Sequence, residues 1–136
     1  MNVHFSSKTD EWETPQNLFD ELDREFRLSW DVCATDDNTK LPKWWTKKDD
    51  GLSKDWRGLR CWMNPPYGRD IGRWVKKASE GGAKIVVALL PARTDTKWFH
   101  DYILGKAEIR FLKGRLKFGN SKNSAPFPSM VVVFNK

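Results

Sequence analysis

"KIVVALLP", residues 84–91, sets six apolar residues in unbroken succession between a lysine and a proline. An amphipathic helix would break such a run every few residues, and a half-exposed strand would alternate. A continuous apolar run of this length is the pattern of a strand covered on both faces. The neighbouring segments must then supply the two covers. Upstream, "GRDIGRWVKKASEGG" (68–82) has the pattern of a helix closed by glycines. Before it, "LRCWM" (59–63) is a short strand stopped by Asn64-Pro65-Pro66, because proline neither donates to a ladder nor continues a helix. "RLSWDVCA" (27–34) alternates and ends in an acidic turn, so it is read as a strand. Thr14-Pro15 starts a helix, with Thr14 as N-cap and Pro15 at the first helical position. Leu18, Phe19, Leu22 and Phe26 continue it at near-helical spacing.

Downstream, Trp98, Phe99, Tyr102 and Ile103 form a helical stripe within 95–104. "AEIRFL" (107–112) and "SMVVVFN" (129–135) are strands joined by a basic connection containing Gly, Asn and Pro. Residues 35–58 read mostly as loop, with room for one short helix or strand, and residues 1–11 as a loose polar start. Strands alternating with helices predict an α/β domain with a largely parallel sheet. In such sheets ligands bind outside the carboxyl ends of the strands. Asp31 and Asn64 follow two of those ends and should face one crevice.

The 136 residues fit one domain, and their eight tryptophans are mainly core material. Lys and Arg outnumber Asp and Glu by 24 to 18. The excess is late: residues 101–136 hold seven cations against Asp101 and Glu108. Such a segment suits a polyanion, or is simply a solvated surface. Cys33 and Cys61 show no metal-ligand or disulfide spacing, and His4 and His100 stand alone, so no metal is expected. No apolar stretch approaches a membrane span, and no signal peptide is seen at the start. The expected location is cytoplasmic, with reduced thiols.

"NPPY" (64–67) carries the chemistry. An exocyclic amine on a base is a poor nucleophile, because its lone pair is delocalised into the ring. Two acceptors placed at its N–H groups can turn and pyramidalise that nitrogen. The Asn64 side-chain oxygen is one and the following backbone carbonyl is the other. Pro65 and Pro66 fix both before substrate arrives. Tyr67 offers a flat face for a base to stack on. No tuned acid or base is needed, provided that the transferred group is already a strong electrophile, as a sulfonium methyl is. A given tetrapeptide arises by chance in about one chain in a thousand of this length. The alternative reading is a Pro-Pro turn with a packing tyrosine.

With "MNPPYG" (63–68) stand "DEWETP" (10–15), "WDVCAT" (30–35), "DDGLSKDW" (49–56), "LLPARTDTKWF" (89–99), "FLKGRLKFG" (111–119) and "SAPFPSMVVVF" (124–134). Jointly, over residues 10–135, they resemble the phage-type, Dam-like DNA N6-adenine methyltransferases. The resemblance implies a compact Rossmann-like class I methyltransferase fold dependent on S-adenosylmethionine (SAM). It implies a mostly parallel central sheet with a C-terminal antiparallel strand. It also implies a single domain over 1–136, loose over 1–10, without a separate target-recognition domain.

Roles follow from the resemblance position by position. Asn64, Pro65, Pro66 and Tyr67 are the catalytic set. Thr14 and Pro15 lie beside the SAM carboxylate, with Trp12 covering the cofactor or packing in the core. Asp31 takes the methionine ammonium, and the small Cys33 and Ala34 let the backbone approach. Asp50 takes the adenine amine of SAM, beside Gly51 and with Leu52 as an apolar wall; a plain Asp-Gly turn is the alternative. The glycine-rich cofactor turn of most methyltransferases is missing from 31–38, and Asp36 or Asp37 is the substitute for a ribose-binding acid. Arg93 lies on the rim near the target strand. Arg115, Lys117, Phe118 and Lys122 meet phosphates and the flipped base, unless the segment is a surface loop with one packing Phe. DNA is the implied partner. Two other functions stay open: SAM-dependent methylation of ribosomal RNA guanine or a protein glutamine amide, and a non-enzymatic basic nucleic-acid-binding module.

Overall fold

The structure is a computed structural model that describes residues 12–119 and 123–135. The loose start expected over 1–10 lies outside the described residues. The elements in chain order are α1 (Gln16–Phe26), β1 (Trp30–Asp31), a 3-10 turn (Gly51–Ser53), β2 (Arg60–Met63), α2 (Ile71–Glu80), β3 (Ile85–Pro91), α3 (Lys97–Tyr102), β4 (Glu108–Phe111) and β5 (Ser129–Asn135). The five strands form one sheet in the order β1-β2-β3-β5-β4. β1, β2 and β3 pair in parallel, while β5 runs antiparallel to both β3 and β4. The architecture is therefore α/β with a mixed, mostly parallel sheet. β5 lies between β3 and β4.

β3 is the central strand, and all seven of its residues are buried. Val86 through Leu90 have no exposed surface on either side of the pleat, so both faces are covered, as the unbroken apolar run requires. α1 lies over the face that carries Trp62, where Phe19 meets the indole edge-on at 5.2 Å. α2 and α3 pack together. They are the crossovers that leave β2 and β3 for strands further along the sheet, and right-handed crossovers put both on the other face. Trp56, Trp62 and Trp74 are buried, and Trp12, Trp30, Trp45 and Trp98 pack against the core half-buried.

Two sequence expectations need correction. The strand expected over 27–34 is only two residues long. Arg27 adopts a left-handed φ of 53° at the end of α1, which turns the chain before it can extend. Beyond Asp31 the carboxylate draws the chain back, accepting from the backbone N–H groups of Cys33 (3.3 Å) and Lys40 (3.0 Å). The returning segment covers the outer edge of β1, where Asp31 N–H donates to Lys43 and Trp45 N–H to Asp31. An exposed strand edge is thereby closed. The second correction concerns α1. Its N-cap is Pro15, with φ −57° and ψ 131°, and no side chain caps it. Thr14 is buried one residue earlier and serves the site instead.

Candidate active site

The chain leaves β2 at Met63 and enters Asn64-Pro65-Pro66 at the carboxyl edge of the sheet. Asn64 is held from both ends of its amide. Its Nδ2 donates to the Trp12 carbonyl and to Thr14 Oγ1 (2.9 Å). Its Oδ1 accepts from the Tyr67 hydroxyl at 2.8 Å. A carbonyl can only accept, so the Trp12 oxygen fixes which end of the amide is nitrogen. The Tyr67 hydroxyl is also 2.9 Å from the Leu89 carbonyl, on the neighbouring strand β3. Burial pushes the phenol well above its ordinary range, against a smaller opposing effect of the Arg93 charge, so Tyr67 keeps its proton. Arg93 Nη1 donates to the Tyr67 carbonyl at 2.9 Å and clamps the turn from outside.

This geometry corrects the stacking role expected of Tyr67. The residue is 3% exposed, and the edges of Phe127 and Phe118 meet its ring at 5.7 and 6.4 Å. No face is open to a base; the phenol positions Asn64. Phe118 likewise is buried rather than presented to DNA, edge-on to Trp12 at 5.5 Å. Arg115 and Lys117 on the same segment are exposed. Lys122 lies outside the described residues.

A cavity of about 460 Å³ opens beside Asn64, within the range of small-molecule and cofactor sites. Asn64 and Asp31 both line it, as the two strand ends predicted, and so do Trp12, Thr14, Cys33, Ala34, Asp50, Gly51, Leu52 and Pro66. Pro15, Pro65, Tyr67, Arg93, Arg115, Lys117 and Phe118 stand outside its lining. Of the two acids considered for a ribose, neither lines it; Asp36 is turned to the Trp44 indole N–H at 3.1 Å.

Asp31 is the buried carboxylate of the cavity lining. It is 2% exposed. Burial pushes its carboxyl up to about 6, while the N–H groups of Lys40 and Cys33 and the Lys40 charge pull the other way. A buried carboxylate of this kind gains from a cation placed against it. The floor is equally specific. A Cβ at Gly51 would fall 2.2 Å from the Val32 carbonyl oxygen, so only glycine lets the 50–52 turn approach the end of β1. Asp50 precedes it at a left-handed φ of 59°.

The sequence did not single out Lys40, Asn38, Thr46, Asp70, Arg73 or Trp74, all of which line the cavity. The Lys40 side chain is 7% exposed, 3.8 Å from Glu13, and donates to Gln16 Oε1 at 2.9 Å. Its only sequence signal is a position within a lysine-rich loop. Among the described residues there is no group of three His, Cys, Asp or Glu able to hold a metal ion, and no helix long and apolar enough to cross a membrane.

The family described as DNA N-6-adenine-methyltransferase (Dam) matches residues 3–136. The chain is 32% identical over 138 residues to the DNA N-6-adenine-methyltransferase of Haemophilus phage HP1 (strain HP1c1), covering 94% of this chain and 80% of that protein. It is 31% identical over 112 residues to the protein of the same name from Escherichia phage T1, covering 79% of this chain but 46% of that one.

Proposed function

The chain belongs to the DNA N-6-adenine-methyltransferase (Dam) family, and we propose that Asn64 and Asp31, facing one cavity, carry out adenine N6 methylation of DNA with SAM as the donor. The observation that carries this reading is the Asn64 amide, locked at a strand end and lining the same cavity as a buried acid. The sheet, with an antiparallel strand inserted beside a parallel set, supports the Rossmann-like class I fold. The described residues share one core, which supports a single methyltransferase domain. The place of action in this reading is the cytoplasm, that of the host cell for a phage-encoded chain.

The cavity fits SAM in size and in charge. Asp31 takes the ammonium, with the Cys33 and Ala34 backbone alongside. Trp12 and Thr14 lie toward the carboxylate, and Pro15, outside the lining, follows them in the chain. Asp50, Gly51 and Leu52 receive the adenine. When bound, SAM supplies an electrophilic sulfonium methyl.

Asn64 does the work on the target base. The Tyr67 hydroxyl occupies one lone pair of Oδ1 and leaves the other for an N6 hydrogen. The Pro65 carbonyl, in the same turn but outside the cavity lining, is the proposed second acceptor. Together they rotate the amine so that its lone pair leaves conjugation and points into the cavity. In that transfer the N6 amine would gain the methyl carbon and lose one proton to solvent, the methyl leaving the sulfonium that a bound SAM would supply as a neutral thioether. Because Asn64 is held by three partners before substrate arrives, little reorganisation is needed at the moment of transfer.

The test is transfer of labelled methyl from SAM to unmethylated DNA, followed by nucleoside analysis. N6-methyladenine is the expected product. N4-methylcytosine, or no modified base under conditions where SAM binds, would reject the reading.

A further inference from the structure

The burial of Tyr67 and Phe118 leaves no expected aromatic facing DNA, yet one aromatic outside the predicted site is open. Phe111, the last residue of β4, is 62% exposed; the only other exposed large hydrophobic among the described residues is Leu104. A single exposed phenylalanine means little by itself. Its surroundings give it meaning.

Register places it level with the catalytic turn. Phe111 pairs with Met130, Met130 with Leu90, and Ala88, two residues before Leu90, with Met63. Phe111 therefore shares a row with residues 64–65 at the carboxyl edge of the sheet. Three strand spacings separate β4 from β2, about 14 Å. Alternation sets its direction. The Arg110 side chain turns to Glu25 and the Phe26 ring on the α1 side, so Phe111 projects from the other face. The position is also rigid, because Leu112 N–H donates to the Ser129 carbonyl at 3.1 Å just beyond it. Lys113, Arg115 and Lys117 follow, all exposed.

We propose that Phe111 is the wedge that enters the duplex where the target adenine leaves the stack, while Lys113, Arg115 and Lys117 grip the flanking phosphates. This rests on the reading of the cavity as a DNA adenine methyltransferase site. Apolar side chains inserted at a base step lower the cost of unstacking it. A base chemically modified in a closed pocket must first leave the helix. The cations supply charge complementarity to the backbone on either side.

The experiment first locates the methylated sequence by base-resolution sequencing of DNA treated with the wild-type protein. Duplexes carrying it are then compared with duplexes in which the base opposite the adenine is an abasic site. Phe111→Ala should lower turnover on the intact duplex by about 10²-fold and recover to within a few-fold on the abasic duplex, where stacking resists extrusion least. With 2-aminopurine at the target position, the fluorescence rise seen with wild type should be lost, and Phe111→Trp should restore it. Equal losses on both duplexes, or no loss on either, would overturn the wedge. So would a Phe111-dependent dimer with unchanged 2-aminopurine signal, which would assign the residue to contact between copies. If wild type modifies no adenine in any DNA, the underlying reading falls, and the wedge with it.

Discussion

The Tyr67 hydroxyl stands 2.8 Å from Oδ1 of Asn64 and 2.9 Å from the carbonyl of Leu89. The proposed catalytic amide thus shares, with a carbonyl in the core of the sheet, the single proton of a neutral, buried phenol. Removing only that oxygen, as in Tyr67→Phe, should leave SAM affinity unchanged and lower kcat about tenfold, the scale of one net hydrogen bond. Asn64→Ala should cost at least ~10²-fold in kcat with SAM binding retained. Residues acting as one unit are not additive, so the double variant should be no slower than Asn64→Ala alone. Single-turnover rates and SAM titrations on the same preparations check all three, and a further tenfold loss in the double variant would separate the two residues.

That tie shows where sequence reading works and where it stops. The strand end at Asn64-Pro65-Pro66 and the doubly covered β3 are written in contiguous residues, so local rules suffice. The partners of Asn64 are not local: the Trp12 carbonyl comes from 52 residues away, and the Leu89 carbonyl reaches Tyr67 across 22. An aromatic beside a catalytic amide reads equally well as a stacking face or as a buried lock, and only packing against Phe118 and Phe127 decides it. Thr14 reads as an N-cap until its hydroxyl is seen accepting from Asn64. Lys40 was illegible for a related reason. A lysine in a polar loop is ordinarily solvated, and its enclosure depends on Glu13 and Gln16 from another part of the chain.

The basic segment after β4 gives a prediction on DNA affinity. Arg115 and Lys117 are exposed and outside the cavity lining. Arg115 Nη1 makes a long contact, 3.5 Å, with the Ala125 carbonyl. Changing both to alanine should weaken binding on every sequence alike and reduce the slope of log K against log salt by about 2, one per phosphate contact. SAM affinity should not move. Filter binding or anisotropy over a salt series measures the slope, and an unchanged slope would remove both residues from the phosphate grip.

Two glycines separate steric necessity from backbone strain. Gly51→Ala drives a Cβ to 2.2 Å from the Val32 carbonyl oxygen. Neither side of that clash is a flexible side chain, so the 50–52 turn must move away from β1. A loss of about 2 kcal/mol is expected, in the range of overpacked sites, together with a fall of tenfold or more in SAM affinity. Gly58 has a φ of +77° and open space around its Cβ position. Gly58→Ala should cost about 1 kcal/mol of stability through strain alone and leave SAM affinity intact. Thermal melts with and without SAM distinguish them; equal effects of the two changes on binding would mean that the turn is not part of the cofactor floor.

Asp31 links stability, pH and cofactor binding. Its carboxyl is raised from 3.8 to about 6 by burial. A folded-state value above the unfolded one means that the group's stabilising contribution is full below about pH 4 and is lost as pH rises through 6. The shift amounts to about 3 kcal/mol at most; with the residue 2% exposed, solvent does little to screen it. Without SAM, the difference in melting temperature between Asp31→Asn and wild type should therefore move in the variant's favour from pH 4 to 7.5, on top of a constant cost because an amide accepts from only one of the Cys33 and Lys40 N–H groups. Binding runs in the opposite sense. An ammonium needs the ionised carboxylate, so wild-type Kd for SAM should improve about tenfold per pH unit up to 6 and level off above it. Asp31→Asn should bind weakly, by ~10²-fold or more at pH 7.5, with no such pH dependence. Calorimetric titrations from pH 4.5 to 8 on both proteins make the comparison. A wild-type Kd flat across that range would remove Asp31 from the ammonium site, whatever its effect on melting.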